Sequence, residues 1–444
     1  MKYFIHYITL VLVLILAYSS GFAGQTMTLS QCLETGIKNN PSLNASRFSL
    51  TAAGHDIKAA RADFLPSISS SYSVNRLASL SEKGPVETDY LDQDIRTFNI
   101  KLTQILYAGS RIVNTYEKAK IREQVVRAEM DLEKLELIYN IETTFYKLMK
   151  AKEDVITAEE SVNRLMESVK SARAFFQKEL VPYVDVLQAS VDLADAKDQL
   201  GVAANNVNRE RVALFSLMDQ PMDSGIRFFN ELNHTVKEEL FFEPSLQYAF
   251  KNRPDIKSLE YQLDIAKKEA KIAMGKYLPV VRFDIGYYDQ DKDYENQGTS
   301  FTGSYDRDQR NRYWSTGIYA TWDMFDGGRA WYGKEKYTSE AGKLKALIKQ
   351  AQNMISTGIR KALYSMSEAR QRITSSADAL IAAREYYTRE EKRLRAGIST
   401  IPSLLDAQGR LLRAQTNKTR AILDYQVAKS ELKLMKGEKK VQEG

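Results

Sequence analysis

The chain has 444 residues, with 63 lysines and arginines against 57 aspartates and glutamates and a formal charge of +6. Its single cysteine, Cys32, excludes an intrachain disulfide, and the three histidines (His6, His55 and His234) form no His/Cys cluster of the kind that holds zinc or copper. Acidic and basic residues alternate, no basic block is interleaved with aromatics, and no phosphate-binding glycine loop or nucleophile elbow occurs, so neither a nucleic-acid partner nor catalysis is expected.

Met1 and Lys2 precede an apolar run from Ile8 to Ala17, and Ser19, Ser20, Gly21, Ala23 and Gly24 follow. This is the order of a secretory signal, so residues 1–24 read as a signal peptide cleaved after Ala23 or Gly24. The run is too short for a membrane-spanning helix, which needs about 20 apolar residues. No later run matches it, so a mature chain that spans a membrane does so as closed β-sheet.

The rest of the chain repeats itself. Asn39-Asn40-Pro41 returns as Asn252-Arg253-Pro254, and Leu65-Pro66 as Leu278-Pro279, each 213 residues on. Leu106-Tyr107-Ala108-Gly109-Ser110-Arg111 returns as Met324-Phe325-Asp326-Gly327-Gly328-Arg329, now 218 residues on. That second displacement persists through Phe145 and Leu363 to Leu214 and Leu432. Two copies of one unit of about 215 residues are expected, at 25–219 and 243–437, joined by a linker at 220–242 and followed by a tail at 438–444.

Each copy opens with a helical stretch, 28–64 and 243–277, stopped by Leu-Pro because proline lacks the backbone donor. The period then changes to two. Phe98, Ile100, Leu102 and Gln104 alternate with polar residues, as do Val281, Phe283, Ile285 and Tyr287, and Trp314, Thr316, Ile318 and Ala320. Strand pairs are expected at about 66–77 with 95–107 and 279–289 with 313–326, separated by polar loops at 78–94 and 289–312. In the second loop Asp289, Asp291, Asp293 and Glu295 alternate; Tyr294 and Ser300 stand where a calcium loop needs glycine and glutamate, so a solvated loop is expected.

Two isolated hairpins with strands of about 10 residues suit a tilted bilayer crossing better than a soluble sheet. Tyr72, Tyr90, Tyr107, Tyr287, Tyr288, Tyr313, Trp314 and Trp322 near the strand ends fit aromatic girdles. Four strands cannot close a barrel alone, so their edges require other chains.

A long helical hairpin follows in each copy, at 111–219 and 329–437. Residues 111–178 lack proline and glycine, enough for a helix on the order of 100 Å. The return helix carries Leu193, Ala196, Leu200, Ala203, Val207, Leu214 and Leu217, a heptad seam with small residues suited to close packing. The second copy repeats it with Leu411, Ala414, Ala421, Tyr425, Leu432 and Met435, interrupted by Lys418. The hairpin tips are Glu179–Leu187 and Ala396–Ala407.

The paired Leu-Pro stops, the Gly-Ser-Arg and Gly-Gly-Arg turns and the two tip segments, in this duplicated order, resemble the TolC-like outer membrane efflux protein family over essentially the whole mature chain. The resemblance implies a mixed α/β membrane protein. In it, a homotrimer gives four strands per protomer to an outer-membrane β-barrel, continuous with a periplasmic α-helical coiled-coil barrel. It implies a passive exit duct of a tripartite efflux or type I secretion system, without cofactor, lying in outer-membrane lipid and engaged by a periplasmic adaptor and an inner-membrane transporter. It places Asp185, Asp406, Ser403 and Ser399 at the pore constriction and Leu180, Val181, Pro182, Tyr183, Gly397, Ile398 and Thr400 at adaptor-contacting tips. Rings of aspartates filter cations; a carboxylate on the first turn of a helix is also favoured there by the dipole alone. Exposed apolar groups such as Leu180, Val181 and Ile398 want a partner. Ser399, Ser403, Leu394 and Glu179 depart from residues common in relatives, so the familiar closed-state latch is not expected. A periplasmic coiled-coil adaptor or scaffold also has long helical hairpins, but it leaves the two aromatic-flanked strand pairs without a purpose.

Overall fold

A computed structural model describes residues 26–83, 87–222, 224–229, 241–294 and 309–439. The signal segment, part of the linker and the end of the tail lie outside them, as do Glu295 and Ser300.

Helices α1 (Leu29–Asn39) and α2 (Pro41–Ala62) are followed by α3 (Arg111–Gln177) and α4 (Tyr183–Met218). Their counterparts are α5 (Phe242–Asn252), α6 (Pro254–Gly275), α7 (Arg329–Arg395) and α8 (Ile401–Lys436). The paired lengths are equal, at 11, 22, 67 and 36 residues. The opening stretch is thus two helices in each half, not the single helix the apolar spacing suggests. Pro41 and Pro254 push the residue before them into extended backbone, so Asn40 (ψ 126°) and Arg253 (ψ 125°) break the helix.

The chain forms two compact units. The first contains Met1–Phe48, Ala128–Lys257 and Lys349–Gly444. Its core has three parts. Cys32, Ile141, Phe145, Leu148, Leu214 and Phe215 form one, and Ile256, Ile355, Ile359, Tyr425 and Leu432 another. Val162, Leu165, Val186, Ala189, Leu394 and Ile401 form the third, beneath the tips. The heptad seam supplies these cores: Ala196, Ala203 and Leu214 are buried, as are Leu411, Ala414, Ala421 and Leu432. Two-residue strands β1 (Thr26–Met27) and β4 (Arg227–Phe228) pair in parallel and seat Phe228 against Phe145 and Phe215.

The second unit contains Ser49–Arg127 and Ser258–Ile348. It holds an antiparallel sheet of β2 (Ser67–Lys83), β3 (Glu87–Ala108), β5 (Val280–Tyr294) and β6 (Gln309–Thr321), in the order β2-β3-β5-β6. The two hairpins join through β3 and β5, leaving β2 and β6 as edges. The ladders continue to Lys83 with Glu87 and to Lys292 with Gln309, so strand takes up 78–83 and 87–94 of the first expected loop and 289–294 and 309–312 of the second, whose other residues lie outside the described ones. Period two betrays a strand only where apolar residues alternate with polar ones; in 78–83, 87–94 and 289–294 that alternation is lost, and backbone pairing persists without it. At the other end β6 stops at Thr321, short of the expected 326. There Asp326 accepts from the backbone amides of Gly328 and Ala330 (2.9 and 2.8 Å) and opens α7.

The register separates the two faces. Ser70, Ile100, Tyr287 and Trp314 form one row, Ile68, Leu102, Ile285 and Thr316 the next, and Gln104, Phe283 and Ile318 a third. Opposite them run Ser67, Thr103, Asp284 and Gly317, then Ser69, Lys101, Gly286 and Ser315, then Ser71, Asn99, Tyr288 and Tyr313. Asp284 on this polar face is held by Lys101 (2.8 Å) and Arg282 (3.1 Å). The apolar face ends in a charged band in which Asp289 binds Arg310 (2.8 Å) and Arg312 (3.2 Å) and Arg96 meets Asp293 (3.6 Å). Asp289, Asp291 and Asp293 are therefore strand residues, not a loop. Tyr288 and Tyr313, stacked at 5.1 Å, lie on the polar face and do not belong to an outward girdle with Tyr287 and Trp314.

Candidate functional site: the helical tips

Helix α3 ends in a turn closed by the Leu180 amide on the Phe175 carbonyl and the Glu179 amide on that of Phe176, both at 2.9 Å. Helix α7 ends the same way, with Ile398 on Arg393 (2.9 Å) and Gly397 on Leu394 (3.0 Å). This closure needs a left-handed residue, supplied by Glu179 (φ 60°) and Gly397 (φ 74°).

Pro182 begins α4 with no side-chain cap. Thr400 caps α8, its Oγ1 accepting from the Ser403 amide at 3.4 Å, while the two hydroxyls lie 2.9 Å apart. Thr400 and Ser403 are thus spent on capping. The Ser399 hydroxyl donates to the buried carboxylate of Glu390, which also binds Arg393 at 2.8 Å. Glu390 gives no sequence signal, because its charged run reads as a solvated helix face.

Leu180 and Ile398 are each 66 % exposed, and Tyr183 is exposed with its ring against Phe176 at 5.2 Å. Val181 corrects the expectation of an open apolar contact, because it packs against the core beneath the tips. Phe176, Gln177, Glu179, Leu180, Val181 and Pro182 line a hollow of about 610 Å³ at the first tip.

Asp185 and Asp406, from different halves of the chain, meet in one groove of about 500 Å³ between α4 and α8, which Gln188, Asp192, Leu405, Gly409 and Arg413 also line. Asp185 is half-buried on the first turn of α4, without a side-chain partner among the described residues. Asp406 is paired with Arg410 at 2.7 Å, a helical i,i+4 contact that the spacing alone predicts. Asp192 accepts from Gln188 at 3.3 Å, and burial holds its carboxyl above the usual range, with Asp195 adding to the effect and Gln188 opposing it. The groove gathers three carboxylates against Arg413 and the Arg410 bound to Asp406, and Asp185, without a side-chain partner among the described residues, carries the least compensated charge.

The sequence profile of the family described as outer membrane efflux protein matches residues 33–219 and 245–438. The outer membrane efflux protein BepC of Brucella suis biovar 1 (strain 1330) is 22 % identical over 411 residues, covering 92 % of this chain and 85 % of BepC. The solved CmeC outer membrane channel of Campylobacter jejuni superposes with a TM-score of 0.79 at 16 % identity, covering 94 % of this chain and 87 % of CmeC. The outer membrane protein VceC of Vibrio cholerae gives 0.75 at 16 % identity, covering 92 % and 96 %. Matched through both halves of its length, the chain belongs to the outer membrane efflux protein family.

Proposed function

We propose that the chain is the outer-membrane exit duct of a tripartite efflux or type I secretion system. It conducts substrate passively from an inner-membrane transporter and periplasmic adaptor to the outside. The two-faced sheet carries the reading: an apolar face bounded by Tyr287 and Trp314, a polar face behind it, and two edges with no strand partner among the described residues. From Val280 to Tyr288 is the length of one tilted bilayer crossing, about 9–11 residues. Among the described residues no helix is long and apolar enough to cross a membrane.

In this reading the signal segment is removed near Ala23 or Gly24. The mature chain is a tandem duplicate, and three copies close one barrel with the polar face inward. The tips form the periplasmic entrance. Leu180, Pro182, Tyr183, Gly397, Ile398 and Thr400 face the adaptor, and Val181 supports them from beneath. Asp185 and Asp406, with Ser399 and Ser403 beside them, border the constriction, where three symmetry-related aspartates draw cations. The charge already on Arg410 offsets part of Asp406, so Asp185 dominates.

The test is reconstitution of the full chain in planar bilayers, with fractionation of cells. A heat-resistant outer-membrane trimer with cation-preferring conductance is expected, and a soluble monomer would sink the reading. Asp185→Asn is expected to lower cation preference more than Asp406→Asn; if neither changes conductance or selectivity, both leave the constriction.

A further inference from the structure

Beyond the row of Tyr287 and Trp314, the apolar face of the sheet turns ionic at the end away from α3 and α7. The next row joins Tyr72, Phe98, Asp289 and Arg312, and the one after it Val74, Arg96, Asp291 and Arg310. A third row joins Arg76, Asp94 and Asp293. The opposite face at these levels holds Ser73, Thr97, Gln290 and Asn311, then Asn75, Ile95, Lys292 and Gln309. Charge is thus gathered on one face, with Lys292 alone behind it among the described residues at these levels. A hairpin standing free in water solvates charge on either face, so the one-sidedness reflects what this face meets.

The signs are ordered too. The two rows nearest the aromatic row carry Arg96, Arg310 and Arg312 against Asp289 and Asp291, an excess of positive charge. The third carries Arg76 against Asp94 and Asp293, an excess of negative charge. Arg310 grips Asp289 through two bonds of 2.9 and 2.8 Å, and Arg312 shares that carboxylate at 3.2 Å, so two guanidiniums divide one counter-charge. Both arginine side chains remain 54 % exposed, and exposed Arg96 has only a long pair to Asp293, at 3.6 Å, among the described residues. Every described cation of the band is an arginine, whose planar fork takes a phosphate through two parallel bonds. Arg96 and Arg310 stand in one row on either side of β5, two strand spacings or about 10 Å apart, which suits a headgroup with two phosphates.

We propose that this band docks the bisphosphorylated glucosamine headgroup of lipid A, the glycolipid of the outer leaflet. Its phosphates sit on Arg96, Arg310 and Arg312, and its acyl chains run down the face along Tyr287, Trp314 and Ile285. Phosphates lie just outside the acyl layer, the level that the positive rows take beside the aromatic row. The negative row stands one level further out, clear of them. The inference rests on the membrane reading above and adds to it which lipid the outward face meets and with which residues.

The test inserts the full chain into phosphatidylcholine nanodiscs doped with equal fractions of bisphosphorylated lipid A and phosphatidylglycerol. Native mass spectrometry then counts the lipids retained per oligomer. Lipid A is expected to be retained in preference to phosphatidylglycerol. Arg310→Gln with Arg312→Gln is expected to cut that preference about tenfold or more, the worth of a lost charged hydrogen bond. Asp289→Asn, which frees both guanidiniums, is expected to raise it, and Lys292→Gln, on the opposite face, to leave it unchanged. Equal retention of the two lipids by the wild-type chain, or an equal loss in Lys292→Gln, overturns the inference. If the double variant fails to assemble, Asp289→Asn decides: retention that stays level or falls overturns the inference. A chain that inserts as an oligomer without preferring lipid A leaves the membrane reading standing, whereas one that never enters the bilayer overturns both.

Discussion

Glu179 and Gly397 occupy the same left-handed position at the ends of α3 and α7, and only glycine adopts it without cost. A side chain there adds about 1–2 kcal/mol of strain, while glycine adds about 0.5–1 kcal/mol of chain entropy to the unfolded state. Glu179→Gly is therefore expected to stabilise the first tip by roughly 0.5–1 kcal/mol. Gly397→Ala is expected to weaken the second by a similar amount. Slower and faster amide exchange, respectively, in the turns after α3 and α7 would register the two effects. The sequence displays both residues and aligns them at a displacement of 218, yet it does not say that the glutamate must take a positive φ. That follows from the Leu180 amide reaching back to Phe175.

At the scale of elements, the two halves anchor their return helices with different chemistry at equivalent places. Asn40 donates to the Leu217 carbonyl near the end of α4 (2.9 Å), and its Oδ1 accepts from the amides of Ser42 and Leu43. Arg253 donates to the Leu434 carbonyl near the end of α8 (2.8 Å) while gripping Asp255 at 2.7 and 2.8 Å. Each sits at the helix break set by the following proline, so one residue joins three helix ends. Asn40→Ala is expected to cost about 1–3 kcal/mol, since it strands buried backbone groups. Arg253→Ala is expected to cost at least as much, because it also removes the ion pair of Asp255 and leaves it only the Ile256 amide. Denaturant midpoints in detergent check both, and a variant with an unchanged midpoint would show that its anchor is dispensable. The prolines made the breaks legible in principle. The partners across 177 and 181 residues were not legible, because no local pattern encodes them.

For the whole molecule, the sheet's two faces decide where it can reside. Ile285→Arg puts a charge on the apolar face, which costs about 2–4 kcal/mol at the bilayer midplane. Asn99→Arg puts the same charge on the polar face and is expected to be tolerated. Yields of heat-modifiable protein after refolding into lipid vesicles distinguish them; equal losses would show that neither face contacts lipid. Sequence by itself determined the repeated order of elements, the strands wherever one face is apolar, and the long hairpins, because periodicity and proline act locally. It did not give the strand extensions past Leu77 and Asp289, where the apolar alternation is lost. Tertiary structure alone decided that Val181 packs inward, that buried Glu390 holds Ser399, and that Asp185 and Asp406 share one groove. These depend on which helices lie side by side, and that is settled by packing between residues hundreds of positions apart.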